Sequence, residues 1–496
     1  CFTIENRPNI ILIMTDNQPS DLLGCYGNTE IKSPNLDKMA KEGVIFENAF
    51  CPNAMCSPSR ASVWTGLIPS QHGVHTWLDD RLMTKWPKHW NALEEFDTLP
   101  EILKRNGYDT AMIGKYHLGC LEESQNSIDH WITMGRGHTL DFYGNTIIEN
   151  SKSYVHEGHS VELFTSKAVE YVKGRAQNKE SPFLLLLPYN GPYGHWPSIK
   201  GPAKNQFGSY YEKLNMNSVP REGLCKEAID CFQMNSTYHS KSKGGPDFSA
   251  LLQIPNDLSS LRNYYSQMSL IDHGIGELFK ALKASSLDRN TLVIFTADHG
   301  FSLGHHGFWG HGQATWPTNA FRIAYNIPLL VWGIEPVKSG IRCENFVSSL
   351  DIFSTILDIL KIKNPDTDKA NPSKSLKKLL AGNNKDWVDE IFIENEETRA
   401  IRTPNWSYVK RFNGSKAYPL NNALYDLKND PDERINIYSD SSPLNIQHKL
   451  DKRLSDFFSN YAEPKYDLWK GGTVKSNTSR PWLWEDAWGA KWHPIT

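Results

Sequence analysis

Five short apolar runs, Asn9–Thr15, Thr110–Ile113, Pro182–Leu187, Thr291–Thr296 and Pro328–Trp332, are spread over the first two-thirds of the chain, with helical patterns between them. Runs of this length read as strands buried on both faces. Their alternation with helices is the signature of an α/β fold on a largely parallel sheet. The helical patterns fall at Ser33–Glu42, Thr98–Arg105, Val161–Gly174, Leu261–Ala284 and Asp351–Leu360. Along Leu261–Ala284, the residues Tyr264, Met268, Ile271, Ile275, Leu278 and Leu282 recur at helical spacing, which reads as a stripe packed on the core. The expected fold class is therefore α/β: a large, mostly parallel sheet sandwiched by helices, with a smaller C-terminal α+β domain carrying an antiparallel sheet.

With 496 residues the chain is long enough for two domains. Residues 1–385 hold the α/β pattern. Residues 386–496 hold four short strands, at Glu390–Glu394, Ala400–Arg402, Ser407–Arg411 and Ala423–Asp426, and a helix near Gln447–Tyr461. The last stretch carries Trp469, Trp482, Trp484, Trp488 and Trp492, too aromatic for a disordered end, and is expected to pack back on the protein. Ile199–Ser260, rich in Gly, Pro, Asn, Ser and Lys, reads as a functional lid or surface loop, and Lys363–Lys385 as a linker.

No run of eighteen apolar residues is present, so no membrane span is expected. A formal net charge of −3 supplies no overall field for nucleic acid. The eight cysteines show no CxxC and no zinc spacing; Cys225 and Cys231 are candidates to pair in an oxidising compartment. The sequence starts at Cys1 without a signal peptide, as a trimmed secretory product, a lipidated terminus or an arbitrary boundary would. A periplasmic or extracellular location is the expectation.

In open α/β sheets, ligands bind beyond the carboxyl ends of the strands. After the first run come Asp16 and Asn17; after the second come Gly114, Lys115, Tyr116, His117, Leu118 and Gly119. Beyond the third lie Tyr189, Asn190 and, further on, His195; after the fourth come Asp298, His299 and Gly300. Four strand ends thus supply oxygen ligands, imidazoles and a lysine to one rim. Between the first two runs lies Cys56-Ser57-Pro58-Ser59-Arg60, with Thr65-Gly66 downstream.

Here the sequence resembles the type I, formylglycine-dependent sulfatases of the alkaline phosphatase superfamily, whose signature is C-x-P-S-R with a downstream Thr-Gly. The resemblance extends over Asp16-Asn17, Gly114 to Gly119, Thr296 to Gly300 and Leu303 to Gly310, and into Arg402-Thr403, Leu424 to Leu427 and Asn429-Asp430-Pro431. It implies that a formylglycine-generating maturation enzyme oxidises Cys56 to an aldehyde, whose hydrate supplies the nucleophile. It also implies that Asp16, Asn17, Asp298 and His299, with the modified residue 56, hold one divalent cation. Hard oxygen donors favour Ca2+ or Mg2+, and the imidazole leaves Mn2+ open; Ca2+ is the first expectation. Arg60 would fix the hydrate, Lys115 and His117 would bind sulfate oxygens or assist proton transfer, and His195 would protonate the leaving alcohol. The implied activity is hydrolysis of a sulfate monoester, with a sulfated carbohydrate as the expected substrate on the strength of the tryptophans and the long insertion.

Two positions depart from the family pattern. Asp16-Asn17 and Asp298-His299 stand where Asp-Asp and Asp-Asn are common, a combination also found in choline sulfatases and phosphonate monoester hydrolases. The alternatives are therefore a phosphonate monoester or phosphodiester hydrolase with the same nucleophile, and an inactive carbohydrate-binding relative. His311 follows Trp309-Gly310 where a lysine is common. An unperturbed imidazole titrates near pH 6.5, so activity is expected to fall across neutral pH with the His311 charge.

Each residue also has a plainer reading. Cys56 suits a buried thiol, and Asp16 and Asp298 suit helix N-caps. A thiol protease would need a paired His and an orienting group, to which nothing points. His195 also suits a loop beside Pro197, and His72 is either structural or at the rim. His305 and His306 read as supports of the His311 loop. Trp77, Asp79, Asp80 and Arg81 read as a pocket lining or a solvated loop.

Overall fold

The β1 strand, Asn9–Asp16, is buried along its whole length because both of its faces are covered. Ile10, Leu12 and Met14 enter one apolar core and Ile11 and Ile13 the other, the two-residue period of a strand sandwiched by helices. In the computed structural model the described residues are 7–79, 86–87, 89–177, 181–231, 248–365, 370–441 and 444–495. Asp80 and Arg81 lie outside them, as do parts of the two polar stretches.

The strands follow in chain order: β2 Val44–Phe50, β3 Asp109–Gly114, β4 His130–Met134, β5 Asn145–Glu149, β6 Lys152–His156, β7 Phe183–Pro192 and β8 Thr291–Ala297. A two-strand ribbon, β9 Ser302–Leu303 with β10 Trp309–Gly310, comes next. Then come β11 Asn326–Ile327, β12 Leu329–Gly333 and β13 Ile341–Ser348. The large sheet has the order β11-β2-β12-β8-β1-β7-β3-β4-β5-β6, with β13 paired to β2. Its centre, from β8 to β4, is parallel. The β12 strand, however, runs antiparallel to both β8 and β2, and the β4-β5-β6 edge is an antiparallel meander. The sheet is therefore mixed, with a second parallel pairing, β13 on β2, outside the centre.

Helices Pro34–Glu42, Ser160–Gln177 and Leu258–Ala284 cover one face. Helices Cys56–Thr65, Leu99–Arg105 and Asp351–Leu360 cover the other. Helices Leu258–Ala284 and Leu99–Arg105 both start on caps, the long one three residues earlier than expected: Asp257 accepts from the Ser259 and Ser260 amides, and Thr98 forms a capping box with Glu101. The stripe from Tyr264 to Leu282 is buried as expected.

A four-stranded antiparallel sheet follows: β14 Ile391–Asn395, β15 Thr398–Arg402, β16 Trp406–Arg411 and β17 Ala423–Asp426, with helix Asn445–Tyr461 on it. The tryptophan tail folds back: Trp484 and Trp492 are buried with Phe412, Leu468, Val474 and Leu483. Two sequence expectations change. The stretch read as a linker holds helix Lys377–Leu380 and buries Leu376, Leu379 and Leu380. Cys225 and Cys231 are free thiols. Among the described residues, no helix is long and apolar enough to cross a membrane.

Candidate active site

Strand register builds the site. Thr15 of β1 pairs with Ala297 of β8, so the residues that follow, Asp16 and Asp298, emerge side by side at one sheet edge. Neither is a helix N-cap. Asn17 follows at φ 59°, a left-handed conformation that asparagine tolerates, and its carbonyl accepts from Tyr264 Oη at 2.6 Å. Gly114, at φ 137°, ends β3 against the Pro188 carbonyl oxygen, which a Cβ would approach to 1.9 Å. Only glycine allows that approach, and it delivers Lys115 to the same edge. Cys56 is the first residue of helix Cys56–Thr65, and Arg60 lies one turn later on the same face. All ten residues of that helix are buried.

These residues form one buried cluster. Cys56 Sγ lies 3.9 Å from Asp16 Oδ1 and 3.7 Å from His299 Nε2. One ligand atom each from Asp16, Cys56, Asp298 and His299 lies within 4.8 Å of the others. Arg60 donates to Asp298 Oδ2 from Nε (3.2 Å) and Nη2 (2.8 Å), to Asp16 Oδ2 (3.2 Å), and to the Lys115 carbonyl (2.7 Å). Lys115 Nζ donates to Asp16 Oδ2. Two carboxylates thus face one guanidinium and one ammonium, a neutral buried set.

That set fits a cation. The His299 imidazole keeps Nε2 toward the cluster because Nδ1 bonds the Gly300 carbonyl at 2.7 Å, as in metal-ligating histidines. The outer end of the Asn17 amide faces Asp16 Oδ1 and His299 Nε2 at 3.0 and 3.1 Å. Its NH2 group suits those two acceptors without a metal, and its oxygen suits a cation held among them. Burial pushes the Cys56 pKa up to about 12, so the unmodified side chain is a neutral thiol at physiological pH. Burial opposes the charges of Asp298 and Lys115 as well. His299 and Arg60 nevertheless hold Asp298 below the usual carboxylate range, and Asp16 raises Lys115.

The remaining histidines ring the cluster. His117, at φ 61°, donates from Nε2 to the Leu78 carbonyl at 2.8 Å, and its Nδ1 meets no partner among the described residues. Its ring lies against Gly137, where a Cβ would come within 2.0 Å of it. The His195 and His311 ring centroids are 5.2 Å apart, and His311 is 5.6 Å from His299. Burial lowers all three imidazoles; neighbouring positive groups lower them further. His195 falls to about 4, and His117 and His311 fall well below the ordinary value. The expected neutral-pH titration of His311 is thereby corrected: it is uncharged at pH 7 in the free protein, and its titration moves into the acid range.

The plainer readings sort themselves by contact. His72 is structural, bridging Ser62 Oγ at 3.1 Å and the Val74 amide at 3.1 Å. His306 stacks on Phe321 at 3.7 Å, and His305 lies 3.4 Å from Asp21; both support the loop leading to His311. Trp77 is half-buried against His138, which also contacts His117 at 5.1 Å. Two residues that the sequence did not single out are drawn in here: His138, and Tyr193, whose ring lies 5.3 Å from Lys115 Nζ. Neither has a motif to announce it, and both are placed by tertiary contact.

Comparison with known proteins bears on this arrangement. The family model described as Sulfatase matches residues 8–362, and one described as N-sulphoglucosamine sulphohydrolase, C-terminal, matches residues 318–460. An N-acetylglucosamine-6-O-sulfatase of Bacteroides thetaiotaomicron is 26% identical over 92% of this chain and 87% of its own length. Human arylsulfatase K is 26% identical over 97% of the chain and 90% of its own. A solved structure of a protein in complex with its substrate, D-glucosamine-2-N,6-O-disulfate, superposes with a TM-score of 0.70 at 22% identity, covering 92% of this chain and 98% of that one.

Proposed function

The chain belongs to the sulfatase family and is a sulfuric ester hydrolase, and we propose that it removes sulfate from a carbohydrate through a formylglycine made from Cys56. The observation that carries this is the convergence of Asp16, Cys56, Asp298 and His299 within 4.8 Å, beside Arg60 and Lys115. The carbohydrate follows from the sugar sulfatases among the relatives. It no longer draws on the tail, whose Trp484 and Trp492 are buried in a core.

We assign Asp16, Asn17, Asp298 and His299, with the modified residue 56, as ligands of Ca2+, which would supply Lewis-acid compensation of sulfate charge. A divalent ion added to the neutral set leaves the pocket with two positive charges, complementary to an anionic ester. Helix Cys56–Thr65 adds its N-terminus, which favours negative charge at position 56. A formylglycine-generating enzyme converts the thiol, and the aldehyde hydrate presents two hydroxyls. One attacks sulfur; loss of the proton from the other expels sulfate and restores the aldehyde. Arg60 orients the hydrate, Lys115 and His311 bind sulfate oxygens, and His117 accepts a hydroxyl proton of the hydrate through Nδ1. His195 protonates the leaving alcohol; an anionic ester beside it favours the imidazolium that burial opposes. Secretion to the periplasm or cell exterior is part of the same proposal.

The test joins mass spectrometry of the peptide holding residue 56 with sulfate release from defined sulfated oligosaccharides. Chelated protein is restored with Ca2+, Mn2+ or Mg2+ in parallel. Aldehyde at residue 56 with release of sugar sulfate supports the proposal. Turnover of an aryl phosphonate in preference to every sulfate selects the phosphonate hydrolase. Sugar binding without turnover, on aldehyde-bearing protein, selects the inactive relative.

A further inference from the structure

Residues 475–478 lie nearly the whole length of the chain away from residues 73–79, yet the two segments are bonded residue by residue. Lys475 N donates to the Gly73 carbonyl at 2.8 Å. The Ser476 hydroxyl accepts from the amides of His75 (3.2 Å) and Thr76 (3.0 Å) and donates to the Thr76 carbonyl (3.1 Å). Asn477 closes both backbone groups of Asp79: its Oδ1 accepts from the Asp79 amide at 2.8 Å, and its Nδ2 donates to the carbonyl at 3.0 Å. Thr478 Oγ1 donates to the Trp77 carbonyl at 2.5 Å and meets Thr76 Oγ1 at 2.8 Å. The Lys475 ammonium reaches the Ala92 carbonyl at 2.7 Å and Glu95 at 2.6 Å, which anchors the segment beneath the rim.

Leu78 lies between the residues so bonded and turns to other partners. Its amide donates to Ser57 Oγ at 3.1 Å, next to Cys56, and its carbonyl takes the His117 Nε2 proton at 2.8 Å. Bonds on both sides of Leu78 therefore fix the carbonyl that sets the tautomer of His117. With Nε2 committed there, His117 offers its unpartnered, buried Nδ1 as an acceptor.

We propose that residues 475–478 are a strap that positions His117 for catalysis, Asn477 and Thr478 acting through residues 77–79 and the Leu78 carbonyl. The bonds given above run to residues 73–79, 92 and 95, and not to the metal ligands or Cys56. It is a set of positioning residues, and it rests on the sulfatase reading because His117 matters only to that chemistry.

The experiment uses the full-length, metal-loaded enzyme and an aryl sulfate, with rates normalised to the aldehyde content at residue 56. Asn477→Ala and Thr478→Val are each made in the wild-type and the His117→Ala backgrounds. In wild type, each is expected to lower kcat about tenfold or more, because a small misplacement of a catalytic group costs that much. In the His117→Ala background the same changes are expected to cost less than about twofold, since groups acting through one another are non-additive. Thr478→Ser, which keeps the hydroxyl, is expected to retain the wild-type rate. Equal losses in both backgrounds, or no loss in wild type, overturn the strap. If one variant fails to fold, the other carries the cycle; if both fail, the strap is a folding element and the proposal is overturned. A wild-type enzyme inactive on every sulfate would remove the sulfatase reading instead, an outcome separate from these ratios.

Discussion

Replacing Arg60 by Ala tests the electrostatic core of the site most directly. The guanidinium is 2% exposed and makes three charge-assisted bonds, two to Asp298 and one to Asp16, as well as a bond to the Lys115 carbonyl. Its removal leaves two buried carboxylates facing a single ammonium. Breaking a buried ion pair by deleting one partner costs about 3–5 kcal/mol, which for a domain of this size corresponds to a loss in Tm of roughly 4–7 °C. The loss should be largest in chelator. A cation bound among Asp16 and Asp298 supplies replacement positive charge, and at a hundred times its dissociation constant it stabilises the folded state by about 2.7 kcal/mol. Differential scanning calorimetry of wild type and Arg60→Ala, each in EDTA and in millimolar Ca2+, measures both quantities. A shift below about 2 °C in EDTA would show that Arg60 does not neutralise the acids. Equal shifts in the two buffers would show that no cation shares their charge.

Three further outcomes follow from the same geometry. Cys56→Ala should abolish sulfate release while leaving the cooperative thermal transition intact, since Cys56 is a small side chain already at the edge of the cluster; loss of the transition would make the residue structural. His195→Ala should slow release from a sugar sulfate about 10²–10⁴-fold, and release from a nitrophenyl sulfate far less, because an acidic leaving group needs little protonation; equal losses would deny it the general-acid role. Glu396, buried beside Glu397 with Arg480 at 2.7 Å, has its carboxyl raised to about 7 by burial. Since the folded value exceeds the unfolded one, its contribution is present below about pH 4.5 and is lost as pH rises through 7. Stability should fall between those limits by up to about 1.4 kcal/mol per pH unit, and Glu396→Gln should flatten that slope in pH-dependent urea unfolding.

The central strands were legible because each is buried on both faces and so reads as an unbroken apolar run. The acids and histidines that end β1 and β8 were visible for the same reason, as abrupt polar steps after such runs. Strands β2, β4, β5 and β6 were missed; of these β6, Lys152–His156, is largely exposed and carries no apolar run. Helix Cys56–Thr65 was missed because it is enclosed on every side and has no polar face to give it a period. The lowered basicity of His311 could not be read either, since it arises from burial among His195 and His299, which come from distant parts of the chain. His138 and Tyr193 depend wholly on tertiary approach.

The bonds between Asn477 and Asp79 span 398 positions of sequence. A ribosome must therefore translate 398 positions beyond Asp79 before that residue acquires these partners. Nascent chains halted earlier would carry their strand-end acids and the helix of residue 56 without a fixed proton acceptor at His117. Catalytic competence would then wait until residues 475–478 have been made and have docked.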